Sequence, residues 1–322
     1  MPAGLFRDPF LWGLLVAVAI ATAATDLGRS GGILGLDRLI NVGIAAVFFL
    51  HGMGIPRQQL ITGMTRWRLH VLVQSCTFIL FPLLGFVLWF SLQGLLPPHL
   101  ILGFFFLCAL PSTISSSVAM TAIARGNVPA AVFNATLSSL IGILLTPLLI
   151  SLVASTSGIT LSFSTAVIDI SRLLLLPFLL GQLLSPWLGR WFAQLKPITS
   201  KLDKGVIIML VLITFSDAVA SGLWSEYGID LLLITAALCL VLMAIVFSLS
   251  GFLARHFGFD REDEVVAVFC GSKKTLASGV PMATVLFGAH PSLGLIVLPI
   301  LFYHQLQLIL AAILAERYAQ RS

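Results

Sequence analysis

Apolar runs of roughly 15 to 25 residues recur from one end of this chain to the other, separated by short polar breaks. None alternates apolar and polar positions over the roughly ten residues that a membrane β-strand would show. A hydrocarbon core about 30 Å thick takes about 20 helical residues to cross. The pattern therefore predicts an all-α polytopic membrane protein of ten spans, at residues 9–26, 39–54, 69–92, 99–124, 128–153, 164–189, 203–224, 229–256, 261–288 and 292–316. Turn-forming residues mark the connections: SGG at 30–32, LPPH at 96–99, RGNVP at 125–129, STSG at 155–158 and AHPS at 289–292. No long linker interrupts them, so residues 1–322 are expected to form a single membrane domain. Arg7, the apolar run 10–20 and ATAAT at 21–25 also have the outline of a signal peptide. The repeat described below requires this segment as a retained helix.

Composition sharpens the class. The chain of 322 residues is 58% hydrophobic and 10% charged, more apolar than a soluble domain can hide. The net charge of +5 comes from basic residues scattered over short connections, which is no footprint for nucleic acid. Thirteen of the 18 lysines and arginines fall on the side shared by both termini, and Arg29, Arg38 and Arg172 on the other. That bias predicts cytoplasmic termini in an inner or plasma membrane. Cys76, Cys108, Cys239 and Cys270 all lie in apolar runs without zinc spacing and read as small buried hydrophobes. Trp67, Trp89, Trp187, Trp191 and Trp224 fall at span ends, where interfacial anchors are expected.

TISSSVAM at 113–120 matches TLASGVPM at 275–282 at an offset of 162 residues, about half the chain. The offset predicts two five-helix repeats, at about 1–155 and 160–322. Five is odd, so the halves would have opposite orientation in the membrane. Inverted repeats characterise secondary transporters, whose sites lie near the bilayer midplane where interrupted helices meet.

Both copies sit in spans that carry polar groups at depth. In the fourth span Pro111 removes a backbone donor, and Ser112, Thr113, Ser115, Ser116 and Ser117 follow. These hydroxyls can satisfy freed backbone groups or coordinate a cation, or they can line a close helix contact. In the ninth span, GSKKTLASGVP at 271–281, Lys273 lies 12 residues beyond Arg261, or ~18 Å along a helix. Both Lys273 and Lys274 can face one cavity only if the backbone departs from helix, and Gly271, Gly279 and Pro281 give it that freedom. Three roles suit them: attracting an anionic substrate, replacing a bound sodium as counter-cations at helix ends, or proton coupling, since burial favours a neutral amine. The alternative is a buried ion pair with Asp169 or Asp217. Further candidates are Thr77 and Gln74 in the third span, Asn134, Thr136 and Ser138 in the fifth, and Tyr303, His304, Gln305 and Gln307 in the tenth, where His304 and Gln307 share a helix face. Glu262, Asp263 and Glu264 read as favourable charges at a helix N-terminus.

LPSTISSSVAMTAIARGNVPAAVF with LLTPLL, and GSKKTLASGVPMATVLF with LPILFYHQLQLILAAILAERYAQ, resemble the bile acid:sodium symporter family and within it the SBF-like branch of sodium/bile-acid cotransporter 7-like proteins. The resemblance covers most of the chain. It implies two inverted five-helix repeats, a panel of helices 1, 2, 6 and 7, a core of helices 3–5 and 8–10, and helices 4 and 9 broken and crossing beside the substrate and sodium sites. It implies organic anions as substrates. The family's polar pair in helix 4 falls on Ser116 and Ser117, its helix-3 glutamine on Thr77, and its helix-5 hydroxyls near Ala131 and Ala135, or on Asn134 and Thr136 after a one-residue slip. Its helix-9 sodium-binding glutamate falls on Ser272 and the neighbouring amide on Leu276.

The central carboxylate is thus absent and two lysines stand beside its position. Two like charges ~4 Å apart repel by ~4 kcal/mol even at an effective dielectric of about 20, which disfavours a sodium ion bound as in the wider family. The reading is a secondary transporter, not an enzyme, that moves a small organic anion by alternating access, proton-coupled or uncoupled, without cofactor or resident metal. Its expected binding residues are Thr77, Thr113, Ser116, Ser117, Asn134, Thr136, Ser272, Lys273, Lys274, Thr275, Ser278, His304 and Gln307. A regulatory or scaffold protein built on a transporter fold is the alternative.

Overall fold

A computed structural model describes residues 9–54, 57–154, 162–220, 222, 228–288, 290 and 292–320. Among them every regular element is helical. The principal helices are α1 (Pro9–Ala23), α2 (Leu36–Gly54), α3 (Trp67–Leu92), α4 (Pro98–Ala109), α5 (Ser115–Ile123), α6 (Val128–Ala154), α7 (Leu176–Ala220), α8 (Ile229–His256), α9 (Arg261–Gly271), α10 (Leu276–Phe287) and α11 (Leu293–Gln320). Phe163–Ile170 and a π turn, Ser171–Leu175, lead into α7 without a gap. Five helical stretches, Trp67–Leu92, Val128–Val153, Phe163–Leu188, Ile229–His256 and Leu293–Gln320, are long and apolar enough to cross a membrane. The chain is a multi-pass membrane protein.

The chain divides into two compact units. One gathers the described residues of Met1–Ile55, Ser164–Leu231 and Val280–Leu295, and the other those of Pro56–Phe163, Leu232–Gly279 and Ile296–Ser322. In the first unit α2 and α7 meet backbone to backbone. A Cβ on Gly52 would strike the Phe178 carbonyl, and one on Gly181 the Phe49 carbonyl. With no hydrophobic drive between helices in lipid, such close approach of small residues supplies the packing contact.

Residues 190–202 were expected to separate two spans, but α7 runs through them as helix. The segment contains Ala, Gln, Leu and Lys and no glycine, so nothing in it but Pro197 opposes helix. The run is nevertheless not straight. Gly52 lies against Phe178 and Gln182, whereas Gly43 on the same helix lies against Val206 and Met209. Nine residues of α2 span ~13.5 Å, while 24 residues of straight helix between Gln182 and Val206 would span ~36 Å. The chain must turn back between them.

In the second unit Trp89 is 7% exposed and packs against Phe105, so it is a core residue and not the interfacial anchor its position suggested. Trp67 is 68% exposed at the start of α3. Trp224 and the side chain of Trp191 lie outside the described residues. The acidic start of α9 caps itself as its sequence implies, with the Asp260 carboxylate accepting from the Asp263 N–H at 2.8 Å. Around it, Arg66 pairs with Asp263 at 3.4 Å, Arg255 with Glu264 at 2.6 Å, and the Tyr318 hydroxyl donates to Glu264 at 2.7 Å. These contacts bind α3, α8, α9 and α11 together at one end of the unit.

Because the Gly181 contact is backbone on backbone, no side chain can yield to an added methyl group. Gly181→Ala should lower stability by about 1–3 kcal/mol. Gly205→Ala, which meets nothing within 4 Å, should be neutral or stabilising by up to about 1 kcal/mol. Thermal unfolding in detergent reads both, and equal effects would refute the close contact.

Candidate functional site

Two helical runs break inside the second unit. Between α4 and α5, residues 110–114 leave the helix, beginning with Leu110 in an extended conformation. Between α9 and α10, residues 272–275 do the same. The matching motifs at 113–120 and 275–282 lie directly at these breaks and open α5 and α10. The two breaks are in contact, since the Thr275 N–H donates to the Pro111 carbonyl at 3.1 Å.

A helix end leaves carbonyls without intrahelical donors. Those at the end of α4 are met one by one. Thr146 Oγ1 on α6 donates to the Ala109 carbonyl at 2.8 Å. Lys274 Nζ donates to Cys108 at 2.9 Å and Leu110 at 2.6 Å. Ser138 Oγ, also on α6, accepts the Ser112 N–H at 2.9 Å.

The third partner of Lys274 comes from α3. There the Phe81 N–H reaches back five residues to the Cys76 carbonyl, closing a π turn over Cys76–Leu80. The Thr77 carbonyl would next take the N–H of residue 82, but that residue is proline and has none. Lys274 Nζ fills the vacancy at 3.0 Å. The ammonium therefore has three carbonyl acceptors, one for each N–H, and lies 4.0 Å from the centroid of the Phe81 ring, a cation–π contact. It also stands at the negative end of the α4 dipole.

Lys273 differs. In this non-helical segment its side chain takes a different partner from that of its neighbour, the Ser116 carbonyl at 2.9 Å, with the Phe269 ring 5.8 Å from Nζ. Both lysines are 0% exposed, and neither forms an ion pair among the described residues. Among the described residues, two of the three N–H groups of a Lys273 ammonium have no protein acceptor. Nearby, the first turn of α5 has no side-chain cap, Ser115 is exposed and Ser116 half-buried. Ser112 Oγ is buried without a partner.

The second break is held from α11. Gln307 accepts the Lys274 N–H at 2.9 Å and donates to the Lys274 carbonyl at 2.8 Å, like a strand partner. Its amide also meets His304 Nδ1 at 2.9 Å, and Tyr303 donates to the Ser272 carbonyl at 2.7 Å. Ser272 Oγ donates to the Val268 carbonyl, and Thr275 Oγ1 accepts the Ser278 N–H at 3.4 Å as the N-cap of α10. On the other break, Thr113 Oγ1 bonds with the hydroxyls of Ser116 and Ser117 at 2.7 and 3.0 Å, and Ser117 donates to the Phe269 carbonyl at 3.0 Å.

Thr113, Ser116, Ser117, Ser272, Lys273, Lys274, Thr275, Ser278, His304 and Gln307 are thus gathered in one bonded network. Thr77 joins through its carbonyl, while its hydroxyl turns back to Val73. Asn134 and Thr136 do not join. Asn134 pairs with Gln74, and Thr136 Oγ1 donates to the Val132 carbonyl of its own helix. The α6 residues that serve the break are Ser138 and Thr146. The anticipated partner Asp217 instead accepts from the N–H and hydroxyl of Ser30 at 2.8 and 2.7 Å.

Removing the Lys274 amine orphans three buried carbonyls, whereas removing that of Lys273 affects one. At about 1–3 kcal/mol for an unsatisfied buried group, Lys274→Met should cost several times the stability of Lys273→Met. Comparable melting temperatures for the two purified variants would contradict this inequality.

The sequence profile of the SBF-like CPA transporter family matches residues 8–320. "Uncharacterized protein PA2026" of Pseudomonas aeruginosa is 47% identical over 98% of this chain and 93% of its own length. YfeH of Escherichia coli, whose designation includes the word symporter, is 42% identical over 99% of this chain and 95% of its own. Sodium/bile acid cotransporter 7 of Rattus norvegicus is 28% identical over 96% and 91%. The chain therefore belongs to the SBF-like CPA transporter family.

Proposed function

We propose that this transporter moves a small organic anion by alternating access, with Lys274 as a tethered cation where a coupling sodium would otherwise sit and Lys273 as the amine that meets the anion. The observation that carries this reading is the three-carbonyl cradle of Lys274. Thr77, Cys108 and Leu110 offer oxygens at 2.6–3.0 Å from a positive centre, with no carboxylate among them. Oxygens of this kind can hold an alkali ion, and the ammonium already occupies them. The cradle therefore works against sodium binding there and leaves the cycle proton-coupled or uncoupled.

Anion preference rests on the other break. Lys273, the uncapped N-terminus of α5 and the unpartnered Ser112 hydroxyl offer positive charge and a free hydroxyl, with Ser115 and Ser116 partly open. The N-terminus of a discontinuous helix is a recurrent anion site in transporters. Ser116, Ser117, Ser272, Thr275 and Ser278 complete the proposed site. The ten spans in two inverted repeats are part of the same reading. They draw support from the 162-residue offset, from its two copies opening α5 and α10 directly at the breaks, and from the reversal within α7, which counts as two crossings. The moving core would be helices 3–5 and 8–10 and the panel helices 1, 2, 6 and 7, with cytoplasmic termini in an inner or plasma membrane. The two compact units lend this division partial support, since Val280–Leu295, from helices 9 and 10, falls in the unit that holds helices 1, 2, 6 and 7.

Counterflow in proteoliposomes tests the proposal, with labelled cholate, oestrone sulfate and succinate as probes. Uptake of at least one probe is expected, at a rate that changes less than about two-fold when choline replaces sodium, and Lys273→Ala should lower it by at least about tenfold. Steep sodium dependence would overturn the tethered-cation role, and full activity of Lys273→Ala the anion role. No counterflow with any probe would favour a regulatory or scaffold protein.

A further inference from the structure

A groove of about 460 Å³ runs along the second unit, walled by α3 and by the end of α8 and the segment after it. Trp67 and Arg68 stand at its mouth with Phe257 and Phe259, and Ser75, Cys76, Ile79 and Leu83 continue it inward. The mouth lies at one membrane edge, because Trp67 begins one apolar stretch and His256 ends another. From Trp67 to Leu83 is 16 residues, or ~24 Å of helix, more than the ~15 Å that one leaflet of the hydrocarbon core provides. Apart from Arg68 and Ser75 the wall is apolar or aromatic. The Arg68 side chain is exposed, and its contact is with the Phe259 ring, 5.9 Å from its guanidinium carbon, with no carboxylate partner among the described residues.

We infer that this groove binds one anionic glycerophospholipid, its phosphate on Arg68 and one acyl chain along α3. Each part of the site selects one part of that molecule. The length and apolarity of the channel fit a hydrocarbon chain. Trp67, 68% exposed, marks the headgroup level, where indole rings concentrate. The unneutralised guanidinium offers a planar two-pronged donor that fits a phosphate. The inner wall is Cys76, whose Cβ lies 3.1 Å from where a Cβ on Gly271 would be. Cys76 also opens the π turn that frees the Thr77 carbonyl for Lys274. The acyl chain therefore lies against Cys76, at the turn that holds the tethered amine, and Cys76 in turn packs on Gly271, the last residue of α9.

Native mass spectrometry of the purified full-length protein tests the site, comparing phosphatidylglycerol with phosphatidylcholine of the same chains. Wild type should retain the anionic lipid about five-fold better, the equivalent of the roughly 1 kcal/mol a basic residue contributes near an anionic surface. Arg68→Gln should abolish that preference and keep phosphatidylcholine binding, and Ser75→Phe, which puts a ring in the channel, should weaken both lipids. Equal retention of the two lipids by wild type needs no variant to fold and would overturn the proposal. So would an unchanged preference in Arg68→Gln, or displacement of the lipid by glycerol 3-phosphate alone, which would point to a free-phosphate site.

Discussion

A membrane helix that stops in mid-course exposes carbonyls where no water can satisfy them, and this structure answers that problem with one ammonium group. Residues 110–114 leave α4 unfinished, and the π turn before Pro82 leaves the Thr77 carbonyl of α3 without its donor. Lys274 serves both defects at once. The cost of burying a charge is offset here by three short hydrogen bonds, an aromatic face and the negative end of a helix, which together replace the hydration an ammonium loses. Everything else at the site is arranged about that position. Gln307 clamps the backbone of Lys274 from both sides, Tyr303 holds Ser272, and Thr146 and Ser138 complete the first break from α6.

This arrangement gives adjacent lysines unlike roles. In an α-helix they would diverge by ~100° and share parts of one surface. In the non-helical stretch at 272–275 they part, one into a saturated cradle and the other to a carbonyl at the start of α5. A charge that is fully bonded has little reason to leave, and one with spare donors can take a further partner. On the proposed reading the first fixes the breaks and the second serves the substrate. A tethered cation also cannot diffuse away, so a transporter built on it would lose the energy of a sodium gradient at this position and gain a permanently assembled helix junction.

Much of this was legible in the sequence because polar groups deep in apolar runs are costly and therefore rare. Lys273, Lys274 and the Pro111 serine cluster stood out for that reason, and the half-chain offset tied the two motifs together. Gln307 and His304 were visible by their helical spacing. What could not be read was carried by the backbone. The role of Thr77 is that of its carbonyl, freed by Pro82, while its hydroxyl points into its own helix. The missed signal was the proline itself, five residues downstream. Asn134, Thr136 and Ser138 drew attention as polar residues of one span, yet of the three only Ser138 reaches the break, joined by Thr146, which had not been singled out. Which face of α6 meets α4 is set by packing, and an apolar helix with no amphipathic stripe does not declare it. At 190–202 the backbone likewise stays helical where a loop was expected, although the contacts of α2 bring its two sides too close together for one straight helix.

The acidic end of α9 shows why the breaks can persist without unravelling. Asp260, Asp263 and Glu264 pin its first turn to Arg66, Arg255 and Tyr318, so the helix enters the membrane from a fixed point. Eleven residues later it ends at Gly271, where Cys76 packs too closely for an unstrained side chain. Next to this crowded end comes 272–275, the short stretch whose bonds run to α3, α4, α5 and α11. An ammonium on a flexible four-carbon stem is suited to that place. Its three rotatable donors reach carbonyls on two separate helical runs, a geometry that a planar guanidinium fork does not match.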